Sequence, residues 1–317
     1  FITFPFLLIY LISNYKKGKW ISFNIGWMFG FGYFISNLYW ITNALTFEEN
    51  FKFLIPIALI SIPLFLGFFY GSVTLVCSFF SLNKKFSTIL IFSIFFSLVE
   101  FFRGFILGGF PWNLIVFSWV DYLPFLQVLS YIGTYSLNLL SVTIFLIPTI
   151  VLFNYRKLIK ITFLFFALII LLINFLYGSL IIKSNDKIND TNLNFVIKII
   201  SPKININRYF EGESSEKIIL ELIDLSQPND LEKSVFIFPE GVLSGIYLKD
   251  LKNYKHIFSK NYSEQHKIIM GINSIKEDKV FNSLVVLDKD LNILAKYNKN
   301  KLVPFGEFLP KGTNLFL

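Results

Sequence analysis

Three charged side chains stand where a chain of this kind can do chemistry. Glu240 closes the apolar stretch V-F-I-F-P-E (235–240), and Lys299 and Glu307 fall within Y-N-K-N-K-L-V-P-F-G-E-F-L-P (297–310). A carboxylate can take a proton from a nucleophile, and an ammonium can hold the oxyanion that forms when a carbonyl is attacked. Two acids and a lysine at strand ends therefore suit acyl transfer. The same charges also fit the ordinary solvated ends of strands, and the residues alone leave both readings open.

Strands are needed to position these groups. Ile293, Ala295 and Tyr297 form a short apolar alternating run that leads into Lys299, and Pro304 and Gly306 stop it. Ser234–Pro239 reads as a buried strand that delivers Glu240, and 193–200, Lys267–Ile272 and Ser283–Asp288 read as further strands. The segment D-K-D-L-N (288–292) is a hairpin-like link. Glu213–Ser226 has helical period, with Ile218, Ile219, Leu222 and Leu225 on one side, and Leu248–Gln265 reads as a second helix. His256 and His266 are assigned to an exposed helix and given no role. Strands and helices in this order predict an α/β sandwich. No internal repeat, glycine-rich phosphate loop or metal-ligand spacing appears, so neither a metal nor a cofactor is expected.

The first 182 residues are of another kind. Of the 317 residues, 54% are hydrophobic and 40 are phenylalanine, and the apolar excess ends near Lys183. A transmembrane helical domain is expected at 1–182 and the α/β domain at 183–317. Phe1–Ile12 looks like the tail of a span, followed by apolar runs at Ile21–Thr42, Phe53–Leu82, Phe86–Leu107, Pro124–Phe153 and Ile161–Ile182. Each complete run exceeds the roughly 20 residues a helix needs to cross hydrocarbon. The loops at Lys16–Lys19, Lys84–Lys85 and Arg156–Lys160 are basic, whereas those around Glu48–Glu49 and Gly108–Asp121 hold almost no cation beyond Lys52. Basic loops mark the cytoplasmic side, which puts loop 108–121 and everything after Lys183 outside. The net charge of +8 is accordingly a matter of topology, and no nucleic-acid partner is expected.

Within the spans, Glu100 and Arg103 lie three apart, close enough on a helix to pair. An ionic pair at that depth is either structural or faces a cavity. Beyond it come G-G-F-P-W-N (108–113) and G-T-Y-S-L-N (133–138), which suit an interfacial aromatic belt or a lipid entry path. Cys77 is the single cysteine and lies inside an apolar run, which excludes an internal disulfide.

Taken together, these features resemble the bacterial apolipoprotein N-acyltransferases, in which a membrane bundle is joined to a nitrilase-like (carbon–nitrogen hydrolase) αββα sandwich. The resemblance covers nearly the whole chain. It rests on F-G-F-G-Y-F-I-S-N-L-Y-W-I (29–41), G-G-F-P-W-N (108–113), F-P-E (238–240), F-N-S (281–283) and the motif at 297–310. By motif position it implies a Glu–Lys–Cys triad with Glu240 as general base, Lys299 as the oxyanion cation and Glu307 as a supporting acid. Phe210, Pro111, Trp112 and Asn113 are implied as substrate contacts. Lys301 stands where the family usually has histidine, and Phe210 and Phe238 stand where it usually has tryptophan. The family's nucleophilic cysteine, in a C-Y-E-like motif after the lysine, is not in this sequence, and Cys77 lies on the wrong domain to replace it. The chain reads as a fragment cut at both ends, incomplete in its C-terminal domain and inactive as it stands.

What the resemblance implies is a ping-pong transfer of a fatty acyl chain. The donor is a phosphatidylethanolamine-like phospholipid, and the acceptor is the α-amino group of a diacylglyceryl-cysteine apolipoprotein. A cysteine thioester is the intermediate, and the setting is a bacterial inner membrane with the catalytic domain on the periplasmic side. Two other readings remain: a membrane-tethered amidase of the nitrilase superfamily, and an inactive membrane scaffold.

Overall fold

The structure is a computed structural model that describes residues 3–46, 49–106, 109–185, 194–202, 214–243, 245–277 and 279–302. It divides into two compact units, Phe1–Asp190 and Thr191–Leu317.

The first unit is helical. Its long elements are α1 (Thr3–Asn14), α2 (Lys19–Leu38), α3 (Ile55–Cys77), α4 (Phe86–Arg103), α7 (Thr134–Leu146) and α8 (Lys157–Asn185), with two single turns, α5 (Leu123–Leu126) and α6 (Leu129–Ile132), between α4 and α7. Among the described residues four helical stretches are long and apolar enough to cross a membrane: Glu49–Cys77, Phe86–Arg103, Thr134–Leu152 and Lys157–Asn185. The run at Ile21–Thr42 does not join them. Its helix α2 has 20 residues, but Lys19, Asn24, Asn37 and three glycines dilute its apolar character. Pro124–Phe153 is not one continuous span either. Gly133 sits at φ 76°, a left-handed conformation that ends α6 and starts α7 in a new direction.

Glycine also sets how closely α2 and α3 pack. A Cβ on Gly30 would lie 2.8 Å from the Gly67 Cα, and one on Gly67 would lie 2.9 Å from the Trp27 carbonyl oxygen. Small residues at such crossings let two backbones approach, which is how apolar helices gain contact without a hydrophobic driving force. Around this crossing Leu8, Phe34, Tyr70, Phe92, Phe96 and Leu146 form the buried core.

The second unit is built on a five-stranded sheet in the order β1-β2-β3-β4-β5. The strands are β1 (Val196–Ile199), β2 (Ser234–Ile237), β3 (His266–Lys276), β4 (Lys279–Leu287) and β5 (Ile293–Asn298). β1, β2 and β3 run parallel, while β3–β4 and β4–β5 are antiparallel. Helices α9 (Ser215–Ser226) and α10 (Lys255–Asn261) bury Ile219, Leu222, Ile257 and Phe258 with Phe236, Ile268, Met270 and Val285 from one face of the sheet.

Three expectations are corrected here. Leu225 is 54% exposed and Ile223 is buried in its place, because the apolar stripe of α9 is centred on Ile219 and Leu222. The second helix is shorter than 248–265: a 3-10 turn (Asp250–Tyr254) precedes a seven-residue α10. His266 is not on an exposed helix. It begins β3 and is fully buried, accepting the Ser263 N–H at Nδ1 (3.0 Å) and so donating from Nε2 to the Asn229 carbonyl (2.9 Å). His256 is on α10 and exposed.

Candidate functional site

Parallel strands deliver loops from their C-terminal ends, and β2 delivers Glu240. Phe238 donates its N–H to the Ile269 carbonyl at 2.8 Å, so the chain stays against β3 until the turn at Gly241, whose φ is 71°. The backbone of Glu240 passes so close to β3 that a Cβ at Gly271 would lie 2.8 Å from the Glu240 Cα. Glycine at 271 is what allows this approach. A cavity of about 270 Å³ opens here, lined by Glu240, Gly241, Gly271, Asn273 and Asn282 among others.

β5 delivers Lys299 to the same place. The Lys299 N–H is bonded to the Asn282 carbonyl at 2.8 Å, which extends the ladder one residue past the strand. Its Nζ lies 3.5 Å from Glu240 Oε1, with the lysine side chain 34% and the glutamate side chain 62% exposed. Asn282 also donates from Nδ2 to the same Oε1. Asn282 thus fixes the carboxylate through its side chain and the lysine through its main chain. In the sequence it stands within F-N-S, where nothing local assigns it a role. The arrangement offers a carboxylate reachable from solvent beside an ammonium, held by an amide, at the mouth of a small cavity. Glu307 and Phe210 lie outside the described residues.

The other expected contacts, Pro111, Trp112 and Asn113, belong to the first unit, where they form a second constellation. Arg103 ends α4 fully buried and is bonded twice to Glu100, Nη2 to Oε2 at 2.8 Å and Nε to Oε1 at 3.2 Å. Its Nη1 turns outward and donates to the carbonyls of Phe110 and of Trp112, the latter at 2.9 Å. Tyr33 donates its hydroxyl to the Asn113 carbonyl at 2.9 Å, and Asn113, at φ 57°, donates from Nδ2 to the Asn37 carbonyl at 3.4 Å. The expected ion pair is therefore also the post that holds the loop. The indole of Trp112 stacks on Trp40 (centroids 5.1 Å apart, planes at 18°) and stays half exposed.

Beside it a largely apolar groove of about 490 Å³ is lined by Pro111, Trp112, Asn113, Phe117 and Tyr135. Both G-G-F-P-W-N and G-T-Y-S-L-N contribute to this wall, although Gly108 lies outside the described residues. Asn138 of the second motif is buried and accepts the Val116 N–H at 3.0 Å.

Comparison with known proteins adds to this geometry. Residues 1–147 match the model of the apolipoprotein N-acyltransferase N-terminal domain. The chain is 30% identical to the apolipoprotein N-acyltransferase of Rickettsia prowazekii over 97% of its own length, and 32% identical to that of Rickettsia bellii over 95%. That of Brucella melitensis is 26% identical over 98% of the chain. The chain spans 61%, 60% and 61% of the length of these three relatives respectively. A crystal structure of an N-terminal amidase aligns with 34% of this chain and 28% of that one at 20% identity and a TM-score of 0.24, a likeness too slight to speak to the fold. Four apolar helices among the described residues, the matched N-terminal domain and similarity running the length of the chain lead to one conclusion: the chain is similar to the apolipoprotein N-acyltransferases, and its residues 1–147 match their N-terminal domain.

Proposed function

We propose that the full-length protein moves a fatty acyl chain from a phospholipid to the α-amino group of a diacylglyceryl-cysteine apolipoprotein through a thioester. The observation that carries this reading is the meeting of Glu240 and Lys299, 3.5 Å apart, at strand ends beside a cavity. Glu240 takes the proton of a cysteine thiol, and the thiolate attacks the ester carbonyl of a phosphatidylethanolamine-like donor. The Lys299 ammonium holds the oxyanion of the tetrahedral intermediate, with Glu307 as a supporting acid. The lysophospholipid leaves, and the amine of the acceptor then attacks the thioester to form the amide and return the thiol. Phe210 and the Pro111–Asn113 loop contact the lipid substrates.

The nucleophile in this scheme lies outside residues 1–317. Cys77 is buried in α3 of the other unit and cannot serve.

The second unit is proposed to be the first half of a nitrilase-like αββα sandwich. The sheet face opposite α9 and α10 presents Ile197 (48% exposed), Ile199 (76%), Leu284 (48%) and Tyr297 (56%), an apolar surface suited to a second sheet. With basic loops inside, this unit lies on the periplasmic side of a bacterial inner membrane.

Two experiments test these proposals. Full-length protein incubated with phospholipid carrying a labelled acyl chain should retain hydroxylamine-sensitive label, and residues 1–317 should retain none. Release of ammonia from simple amides without acyl-enzyme would favour an amidase instead. Alkaline phosphatase fused after Lys183 should be active and fused after Lys157 inactive, and the opposite pattern would refute the orientation.

A further inference from the structure

The helix-covered face of the sheet is apolar along β3 and β4 until it reaches two serines. Ser274 is 2% exposed at the end of the row Ile268, Met270, Ile272, and Ser283 is 1% exposed at the end of the row Val285, Leu287. Buried hydroxyls at such positions need partners, and these two have them. Lys296 Nζ donates to Ser274 Oγ at 2.7 Å, the two serine oxygens are 2.7 Å apart, and Ser283 donates to Asn298 Oδ1 at 2.8 Å. An ammonium only donates and an amide oxygen only accepts. The Ser274 proton therefore points at Ser283, and the chain of bonds runs in one direction.

That chain begins and ends on β5 and crosses β3 and β4 between. Among the described residues β5 is the edge strand, and its residues from Ile293 to Tyr297 are all exposed, so side-chain burial does little to hold it there. Its pairing with β4 is also irregular at Val286/Leu287. A slip of one residue beyond that point would turn every following side chain to the other face of the sheet. The residue after Asn298 is Lys299, whose ammonium must lie within a few tenths of an ångström of its working position.

We propose that Lys296, Ser274, Ser283 and Asn298 form a positioning relay. It pins the register of β5 past its irregularity and so sets the Lys299 ammonium against Glu240. The inference rests on the function proposed above, with Lys299 as the oxyanion cation. None of the four residues touches the reacting atoms, and their effect reaches the chemistry only through Lys299.

The test uses the full-length enzyme and measures single-turnover acyl-enzyme formation against phospholipid concentration. Ser283→Ala removes the donor to Asn298 and should slow the saturated rate about 10-fold or more, the scale that misplacement of a catalytic group commands, with the half-saturating phospholipid concentration unchanged. Ser283→Thr keeps the hydroxyl and should restore the rate. Lys296→Met acts from an exposed site with no risk to the core, and should give a smaller loss of the same kind. If Ser283→Ala and Lys296→Met both keep the parental rate while Lys299→Met loses it, the relay only holds the fold and the inference is wrong. If Ser283→Thr is as slow as Ser283→Ala, packing and not the hydroxyl is at work, and the inference again fails. Parental acyl-enzyme formation in Lys299→Met would instead remove the functional reading beneath it.

Discussion

Two cation–carboxylate pairs, one in each unit, are built in opposite ways. Glu100 and Arg103 have 0% exposed side chains, meet in two bonds, and leave the arginine Nη1 to donate to the carbonyls of Phe110 and Trp112. Glu240 and Lys299 are partly exposed, meet at 3.5 Å through a single oxygen, and border a cavity. Burial makes a pair obligatory, because removing either partner strands a charge where water cannot reach it. Exposure makes a pair exchangeable, because solvent or a substrate can replace either partner. The first kind of pair holds structure and the second is free to do chemistry. Arginine suits the first role, since its planar fork serves a carboxylate and a loop at once, and lysine suits the second as a compact charge.

The largest effect should come from the exposed pair, and in rate alone. Glu240→Gln keeps shape but cannot accept a proton, and acyl-enzyme formation should fall by roughly 10²–10⁴, the range general-base catalysis supplies. Lys299→Met removes the proposed oxyanion cation at similar length and should reduce the rate by a comparable factor. Both proteins should reach the membrane in parental amount. A variant that lost rate only because it failed to accumulate would collapse the distinction between the two pairs.

For the buried pair the effect should be on stability first. Arg103→Ala leaves the Glu100 carboxylate buried and unpaired and frees the loop at Phe110 and Trp112. A loss of about 3–5 kcal/mol follows, read as a lowered denaturation midpoint in detergent. Replacing both residues, Glu100→Leu with Arg103→Leu, should recover much of that stability because no charge is then stranded. It should not restore the order of Trp112, since the carbonyl contacts stay lost, and the fluorescence of the interfacial tryptophans should report this. A single mutant as stable as the parent would mean that the pair is solvated after all.

What the sequence revealed about these sites follows from how local each feature is. The strands before Lys299 and before Glu240 were legible because the patterns that mark a strand act within a few positions. The helical face of α9 was legible to within one residue. Arg103 was read only as a partner for Glu100, because its bonds to the carbonyls of Phe110 and Trp112 need a loop to fold back on the helix end. Asn282 was hidden in the same way: it meets Glu240 only once β4 lies beside β3. His266 was placed on a helix although the alternation Ile268, Met270, Ile272 begins with it, so the period-2 signal extended one step back would have assigned it to β3. The break at Gly133 was masked by apolar residues on both sides, since hydropathy registers composition and is blind to a left-handed φ.

A third pair isolates burial from spacing and carries the smallest prediction. Glu49 and Lys52 are also three residues apart and also in contact, yet their side chains are 85% and 46% exposed, and they lie in a 3-10 turn (Glu49–Leu54) rather than at the end of a packed helix. If the spacing E-x-x-K/R were what stabilised the first unit, Lys52→Ala should resemble Arg103→Ala. If burial decides, the glutamate left behind is hydrated at once, and the loss should stay within the 0–1 kcal/mol typical of exposed pairs, at most about a third of the Arg103 effect. The same detergent denaturation series reads both variants, so the ratio is free of differences in method. Raising the salt concentration sharpens the contrast, because screening reaches the Glu49–Lys52 pair and leaves the buried one nearly untouched. A loss from Lys52→Ala approaching that of Arg103→Ala would show that the loop at Glu49 is packed more tightly than its exposure indicates, and that the division between structural and exchangeable pairs is drawn in the wrong place.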